Sequence, residues 1–375
     1  ALSLDYTLEV SGHRLNYSTP VVHKTNDPVK GEVYRPFEIS PRAYLNFTDD
    51  LYVFASQTPR PIQVLVIANT KDLDGTVKIA AARGWEVEPR QHEISLDAKG
   101  EETLVEFMVL PPADPSEENL SLVFEFADGY TSDQAVTFVK YDHIPVQTIL
   151  KPAEAKVVKL DLHITGRTIG YLMGAGDDIP SYLEQIGYDV HLLEDADFTN
   201  AGLEKYDAIV TGIRAYNTND RIGFQQTKLL EYVEAGGTLV VQYNTSRGLK
   251  TENIGPFPLS LSRDRVTVEE TPVRILARDH PVVNIPNKIT ESDFEGWVQE
   301  RGLYFADEWD ERYTPILSSN DPGEPPRDGG LLVANYGKGT YIYCGYSWFR
   351  QLPAGVPGAY RILANLISNG KHAEP

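Results

Sequence analysis

Two neighbouring aspartates, Asp177 and Asp178, end a glycine-rich turn in the second half of the chain. The run from Arg167 to Asp178 is typical of a buried strand that leads through this turn into a helix over residues 178–187. Open α/β sheets bind ligands at the carboxyl ends of their strands, so either carboxylate is a candidate to accept sugar hydroxyls or hold a cation. A helix cap is the alternative interpretation. No third glycine follows at the spacing of a dinucleotide fingerprint.

A second candidate group follows the third predicted strand, in the run Thr211-Gly-Ile-Arg-Ala-Tyr-Asn217. Arg214 would supply a cationic fork to a ligand, Tyr216 a stacking face and Asn217 an amide. A loop salt bridge with local packing explains the same residues equally well, because arginine in an acidic protein readily pairs with carboxylates.

Tyr243 and Asn244 follow the fourth predicted strand, at the position that holds the nucleophile in amidotransferase-like sheets. Neither side chain is an activated nucleophile, so we expect ligand binding there rather than covalent chemistry. Cys344 lies in an apolar strand and is expected to be a buried small hydrophobe. His280 is expected to be structural, and the eight histidines have no metal-binding spacing.

The segment Asp293–Tyr304 is dense in tryptophan, acid, amide and arginine, and Ser347–Arg350 adds further aromatic and cationic residues. Aromatic faces beside arginine suit sugar rings, whose CH faces stack while their hydroxyls form hydrogen bonds. Trp297, Arg301 and Arg350 are therefore candidate ligand-binding residues. An interface with another domain is the alternative interpretation of this segment.

The elements that would position these residues fall into two parts. Short apolar or alternating runs separated by turns fill residues 46–142 and predict an immunoglobulin-like β-sandwich. Residues 1–45 read as edge strands or the remnant of a preceding domain, and residues 143–164 as a linker. Residues 165–370 alternate strands with helices, including one over 221–235 capped by Asn219 and Asp220, which predicts a parallel, flavodoxin-like sheet closed by a hairpin and a final helix.

The formal charge of −20 argues against a nucleic-acid partner, and no apolar run is long enough to span a membrane. A single cysteine excludes an internal disulfide framework. The chain begins at Ala1 without a methionine, and we expect it to be a segment of a longer polypeptide.

Three long motifs suggest a family: Asp207–Thr218, Gly296–Phe305 and Phe349–Gly358. They closely resemble the C-terminal region of large bacterial PIG-L (LmbE-like) deacetylases. The resemblance covers nearly the whole chain and implies a β-sandwich followed by a class I glutamine-amidotransferase-like domain. In that family a separate N-terminal domain removes N-acetyl groups from amino sugars with zinc. Its His-Pro-Asp-Asp type motif is absent here, as are the cysteine and the His-x-Glu pair of true amidotransferases.

The leading functional hypothesis is therefore a non-catalytic, glycan-directed accessory region of a zinc-dependent N-acetyl-sugar deacetylase. It would need no cofactor of its own, bind a carbohydrate or small polar ligand, and act beside the deacetylase domain of the same polypeptide. The resemblance implies a periplasmic or extracellular location. Two alternatives stay open. One is a trehalose-utilisation-like hydrolase or lyase with Asp178 or His280 as base, and the other is a structural module that positions or oligomerises a partner.

Overall fold

The computed structural model describes residues 2–368, which divide into two compact units. The first unit comprises the residues up to Asp50 together with Thr58–Pro112 and Glu118–Lys156. The second comprises Leu51–Gln57, Ala113–Glu117 and the described residues from Val157 onward. The fold is predominantly β in several sheets, one of them mixed parallel and antiparallel, which agrees with the predicted combination of β and α/β architecture.

Strands dominate the chain as far as residue 159. In chain order they are β1 (Ser3–Val10), β2 (His13–Pro20), β3 (Val22–Asp27), β4 (Gly31–Pro36), β5 (Ala43–Phe47), β6 (Leu51–Phe54), β7 (Arg60–Ala68), β8 (Leu73–Ala80), β9 (Glu86–Glu88), β10 (His92–Leu96), β11 (Glu102–Leu110), β12 (Ser116–Phe126), β13 (Thr131–Ser132), β14 (Gln134–Val139), β15 (Gln147–Pro152) and β16 (Glu154–Lys159).

The first unit contains two antiparallel sheets that alternation in the sequence predicts well. One has the order β5-β7-β11-β9, and in the other β8 lies between β10 and β12. Along β7 the side chains of Ile62, Val64 and Val66 are fully buried while Pro61 and Gln63 are exposed. A period of two with one apolar face is what a half-buried strand requires.

The structure differs from the sequence interpretation at residues 143–164, which were expected to be a linker without regular structure. Two strands, β15 and β16, lie there, and β15 pairs antiparallel with β14 from Gln147 opposite Val139 to Pro152 opposite Gln134. The prolines at either end hid this strand, because a proline is compatible with an edge strand although it reads as a break in a sequence.

The second unit continues with strands β17 (Thr168–Leu172), β18 (Asp189–Leu192), β19 (Ala208–Thr211), β20 (Thr238–Gln242), β21 (Leu259–Leu261), β22 (Arg265–Val266), β23 (Arg274–Ile275), β24 (Gly302–Leu303), β25 (Ala306–Trp309), β26 (Thr314–Pro315), β27 (Leu317–Ser318), β28 (Leu331–Tyr336) and β29 (Gly339–Cys344). Its α-helices are α1 (Ile179–Gln185), α2 (Asn200–Leu203), α3 (Ala215–Thr218), α4 (Ile222–Ala235), α5 (Trp348–Gln351) and α6 (Pro357–Ser368), and short 3₁₀ helices cover Asp195–Asp197, Pro281–Val283 and Glu291–Phe294.

A seven-stranded sheet of order β18-β17-β19-β20-β29-β28-β26 forms the centre of this unit. The first five strands of that order are parallel to one another. At one side β28 pairs antiparallel with β29, and β26 pairs antiparallel with β28. Successive residues of one strand enter different apolar clusters: Val240 packs on one face of the sheet, and Leu239 and Val241 on the other. Both faces are thus covered, as parallel sheets require.

Helix α4 confirms the helix predicted at residues 221–235, but the expected caps differ. Arg221 occupies the N-cap, and the Asn219 side chain accepts a hydrogen bond from the Arg221 main-chain N–H. Asp220 instead forms an ion pair with Lys250. Within the described residues, none of the helices combines the length and the apolar character needed to cross a bilayer.

Candidate functional site

The strand order reverses between β17 and β19, so the carboxyl ends of these two strands lie side by side. The loops that follow them are in direct contact: the Ala175 N–H donates to the Ile213 carbonyl over 2.8 Å. A Cβ added at Gly174 would lie 2.1 Å from that same carbonyl oxygen, which only glycine avoids. The glycine-rich turn is therefore required by the close approach of two loops at the point where open α/β sheets bind ligands.

Asp177 holds these two loops together. Its Oδ1 accepts hydrogen bonds from the Tyr171 hydroxyl at 2.6 Å and the Ile179 N–H at 3.2 Å, and its Oδ2 accepts from the Ile213 N–H at 3.1 Å. Asp178 is exposed and occupies the N-cap of α1 without a side-chain cap bond. Of the two predicted carboxylates, Asp177 is committed to positioning the loops, and Asp178 faces solvent.

Arg214 follows directly in a left-handed backbone conformation, with φ 57° and ψ 23°. Residues other than glycine seldom adopt this region, and when they do the surrounding contacts must hold them there. Here the Arg214 N–H donates to the Tyr243 carbonyl at 2.8 Å, which ties the loop after β19 to the end of β20. The Nε of the guanidinium is buried and has no hydrogen-bond partner.

Three aromatic rings gather beside this arginine. Tyr243 stacks on Tyr304 with ring centroids 6.1 Å apart and an interplanar angle of 7°, and it contacts Phe349 at 5.3 Å. Tyr304 has a positive φ of 53°, and its carbonyl accepts a hydrogen bond from the Tyr343 hydroxyl at 2.6 Å. Tyr243 is 8% exposed, whereas Tyr304 and Phe349 are half-buried, so their rings offer the accessible apolar surface.

Arg350 lies beside Phe349, with its guanidinium carbon 4.8 Å from the centroid of that ring. Its Nε donates to Oε1 of Glu300 at 2.9 Å and its Nη1 to the Gln299 side chain. Burial raises the pKa of Tyr243, and the positive charges of Arg214 and Arg350 partly oppose that rise. Both guanidinium groups therefore act on the same tyrosine. We refer to Arg214, Tyr243, Tyr304, Phe349 and Arg350 as the arginine–tyrosine cluster.

Three further predicted residues lie close to this cluster in the chain but are held by internal contacts, and the buried Tyr216 hydroxyl has no hydrogen-bond partner. Tyr216 is fully buried, and its main-chain N–H donates to the Asn244 side chain at 2.9 Å. Asn244 is also fully buried and donates to the Gln242 carbonyl. Asn217 donates to the Thr245 carbonyl at 3.1 Å and accepts from its N–H at 2.8 Å. These contacts fix the loop after β20 and leave no polar atom of Asn244 facing solvent.

Trp297 and Arg301 do not join the cluster in the way the sequence suggested. Trp297 is 3% exposed, donates to the Asp293 carbonyl and packs against Trp348. Arg301 is also 3% exposed and gives its N–H groups to the carbonyls of Phe294 and Thr271. Burial lowers the Arg301 pKa. Both residues border a cleft of about 370 Å³ whose rim carries Glu269, Glu270, Glu291 and Glu295.

Tyr304 and Phe349 belong to the arginine–tyrosine cluster but are not among the ligand-binding residues predicted from the sequence. Both stand inside motifs that drew attention, Asp293–Tyr304 and Ser347–Arg350. Tyr304 follows the short strand Gly302–Leu303, and a position after a strand could have indicated a site residue. Which ring of an aromatic-rich motif stays exposed, however, depends on contacts with Tyr243, which lies at the end of a different strand.

The side chains most able to do covalent or acid–base chemistry are occupied elsewhere. Cys344 is fully buried, its sulfur lies 2.9 Å from the Trp348 indole N–H, and burial raises the pKa of its thiol to about 12. His280 Nδ1 accepts from the Val282 N–H, and burial lowers its pKa. No group of three or more His, Cys, Asp or Glu residues placed to hold a metal occurs in the described part of the chain.

No protein-family model matches the chain, and no curated protein sequence matches it. Among solved structures, a family 123 glycoside hydrolase from Clostridium perfringens is 9% identical with a TM-score of 0.21, over 53% of this chain and 37% of that one. A fragment of native alpha-2-macroglobulin from Escherichia coli is 13% identical with a TM-score of 0.18, over 31% of this chain and 16% of that one. The chain thus spans well under two thirds of either structure, and similarities this weak carry no argument.

Proposed function

We propose that this chain is a non-catalytic, glycan-binding accessory region, and that the arginine–tyrosine cluster is its ligand site. The observation that carries the proposal is the stacking of Tyr243 on Tyr304 at the carboxyl edge of a parallel sheet, where the charges of Arg214 and Arg350 both act on Tyr243. Aromatic faces stack on sugar CH groups while arginine donates to hydroxyl or carboxylate oxygens. The left-handed backbone at Arg214 and Tyr304 supports a functional role, because such strain is concentrated at binding sites.

The strand order supports this choice of site. The five parallel strands follow the flavodoxin-like order 2-1-3-4-5, and the cluster lies beside the switch point of that order. We propose that the second unit is amidotransferase-like and the first immunoglobulin-like. Tyr243 stands at the elbow where a nucleophile is held in amidotransferases. Tyr243 is only 8% exposed, and in this proposal its ring supports the stacked Tyr304 rather than acting as a nucleophile.

The three motifs that resemble PIG-L deacetylases support a place for this region beside a zinc-dependent N-deacetylase domain of the same polypeptide. In this proposal the zinc and the hydrolysis belong to that domain, and the accessory region brings the glycan to it. A periplasmic or extracellular location is part of the same proposal.

A domain-positioning role is a second candidate, favoured by one feature of the first unit. Strands β1 and β2 form a hairpin in which Leu4, Tyr6 and Leu8 share a face with Leu15 and Tyr17, and each of these side chains is at least 41% exposed. An isolated two-stranded hairpin is marginally stable in water, so a covering partner would stabilise it. Sedimentation of the wild type and of Leu8→Lys tests this candidate, and a concentration-independent monomer in both argues against self-association.

A thermal-melt screen tests the glycan-binding function. Its panel holds amino sugars, N-acetylated sugars, uronic acids and short oligosaccharides. Binding to the folded state must raise the melting temperature by mass action. We expect a sugar-dependent rise that Tyr304→Ala and Phe349→Ala abolish. Phe224→Ala, which removes a 55% exposed ring on α4, should retain it. No rise with any sugar refutes the proposal.

A further inference from the structure

Arg214 differs from its neighbours in having no partner for its charge. Within the described residues, its guanidinium donates no hydrogen bond and forms no ion pair, although the whole chain carries 20 excess negative charges. Other arginines of the same unit are paired, among them Arg221 with Asp195, Arg327 with Asp264 and Arg361 with Asp293. Arg247, Arg263 and Arg265 also form no ion pair within the described residues, but they are exposed to water, whereas Arg214 is half-buried and its Nε has no partner.

The burial of its Nε makes the unpaired Arg214 guanidinium unfavourable for the stability of the folded state. Its Nε is removed from water without a partner, and a buried donor that lacks an acceptor destabilises the folded state, most of all when it belongs to a charged group. Guanidinium stays protonated at any ordinary pH, so it cannot relieve the cost by losing its proton. The loop contacts through Asp177 and Tyr243 nevertheless hold Arg214 in this place.

The charges around the cluster define the missing partner. Arg350 already pairs with Glu300, whose carboxylate has a side-chain exposure of 9%. These two charges cancel, so of the two guanidinium groups in the cluster only that of Arg214 has no ion-pair partner within the described residues. A single carboxylate balances that charge and matches the planar fork of arginine with two parallel hydrogen bonds. A phosphate dianion would instead leave a negative charge close to Glu300.

From these observations we propose that the ligand of the cluster is an acidic sugar of the uronic acid class. Its carboxylate pairs with Arg214, and its ring stacks on the accessible faces of Tyr304 and Phe349. This inference rests on the glycan-binding function proposed above and adds the charge of the ligand to it.

Calorimetric titration of the whole chain tests the inference with D-glucuronate, D-galacturonate, glucose, galactose and inorganic phosphate as probes. We expect the uronates to bind at least tenfold more tightly than the matched neutral sugars. Arg214→Gln should bring uronate affinity down to that of the neutral sugars, and it should lower the affinity for neutral sugars much less than the affinity for uronates. Arg221→Gln removes an exposed, ion-paired guanidinium and serves as the control that keeps the preference.

A second measurement needs no variant and so does not depend on how well Arg214→Gln folds. Uronate affinity of the wild type should fall as NaCl is raised from 20 to about 500 mM, because salt screens the ion pair, while neutral-sugar affinity should stay constant. Equal binding of uronates and neutral sugars overturns the acidic-sugar inference and leaves glycan binding intact. Binding of phosphate without uronate overturns it in favour of a phosphate ligand, and no binding of any sugar overturns both proposals.

Discussion

The same substitution at the adjacent residues Asp177 and Asp178 should change the stability of the second unit by very different amounts. Asp177 is the acceptor for the Tyr171 hydroxyl and for two main-chain N–H groups, whereas Asp178 is exposed and makes no cap bond. We therefore expect Asp177→Ala to destabilise the second unit strongly and Asp178→Ala to leave its stability almost unchanged.

The expected loss of stability follows from the hydrogen-bond donors that each substitution leaves without an acceptor. Tyr171 is fully buried, so its hydroxyl would lose its acceptor without access to water. Hydrogen bonds to a charged group contribute about 1.5–3 kcal/mol each, and the two longer bonds near the half-buried Asp177 fall at or below the lower end. We expect Asp177→Ala to cost about 3–5 kcal/mol. Because Asp178 is exposed, the free energy of unfolding of Asp178→Ala should stay within about 0.5 kcal/mol of the wild-type value.

Asp177→Asn gives an intermediate case. An asparagine oxygen in the Oδ1 position keeps two of the three bonds, but its amide nitrogen then faces the Ile213 N–H, which is also a donor. We expect this variant to lose about 1–3 kcal/mol, less than alanine. The loss of stability should be largest for Asp177→Ala, smaller for Asp177→Asn and smallest for Asp178→Ala. This order indicates an effect of hydrogen bonding rather than of charge or volume alone.

Urea denaturation followed by tryptophan fluorescence measures these differences. A Trp85→Phe background removes the tryptophan of the first unit, so that the remaining three tryptophans, all in the second, report its unfolding alone. A unit-specific probe is needed because a protein of two units need not unfold in one step. A loss below about 0.5 kcal/mol for Asp177→Ala, or an equal loss for Asp178→Ala, would refute the reasoning.

Three other predictions use the same preparation. Gly174→Ala should lower the free energy of unfolding by several kcal/mol, since the new Cβ meets the Ile213 carbonyl at 2.1 Å. A Cβ at Gly223 on α4 meets only the Lys250 carbonyl oxygen at 4.0 Å, an ordinary contact distance, so Gly223→Ala should be neutral or stabilising. Equal losses would contradict this. Cys344 should not react with a thiol reagent at pH 8 until urea unfolds the protein, because burial raises the pKa of its thiol to about 12. Burial also raises the pKa of tyrosines such as Tyr341 above 10.0, so their contribution to stability is complete below that pH and is lost as pH rises above it; an unchanged urea midpoint between pH 8 and 11 would count against this.

Local patterns in the sequence were sufficient to find many of the longer strands and helices. Strand β7 and helix α4 repeat apolar residues with periods of two and 3.6, and both occur where that periodicity places them. The sequence did not predict strand β15, because prolines lie close to both of its ends and its stability depends on hydrogen bonds to β14. Pairing of this kind is a property of two segments together, which a period within one segment does not reveal.

By itself, the sequence determined that Arg214 and Tyr243 would lie at the carboxyl ends of central strands, since Tyr243 directly follows a buried strand and Arg214 comes three residues after the end of another. Only the tertiary structure decided which side chains remain available there. Asp177 and Asn244 are used by main-chain groups of neighbouring loops, while Tyr304 arrives from a distant motif to stack on Tyr243. The physical reason is that hydrogen-bond satisfaction and burial depend on neighbours in space, and the residue type at one position specifies only what a side chain is able to do.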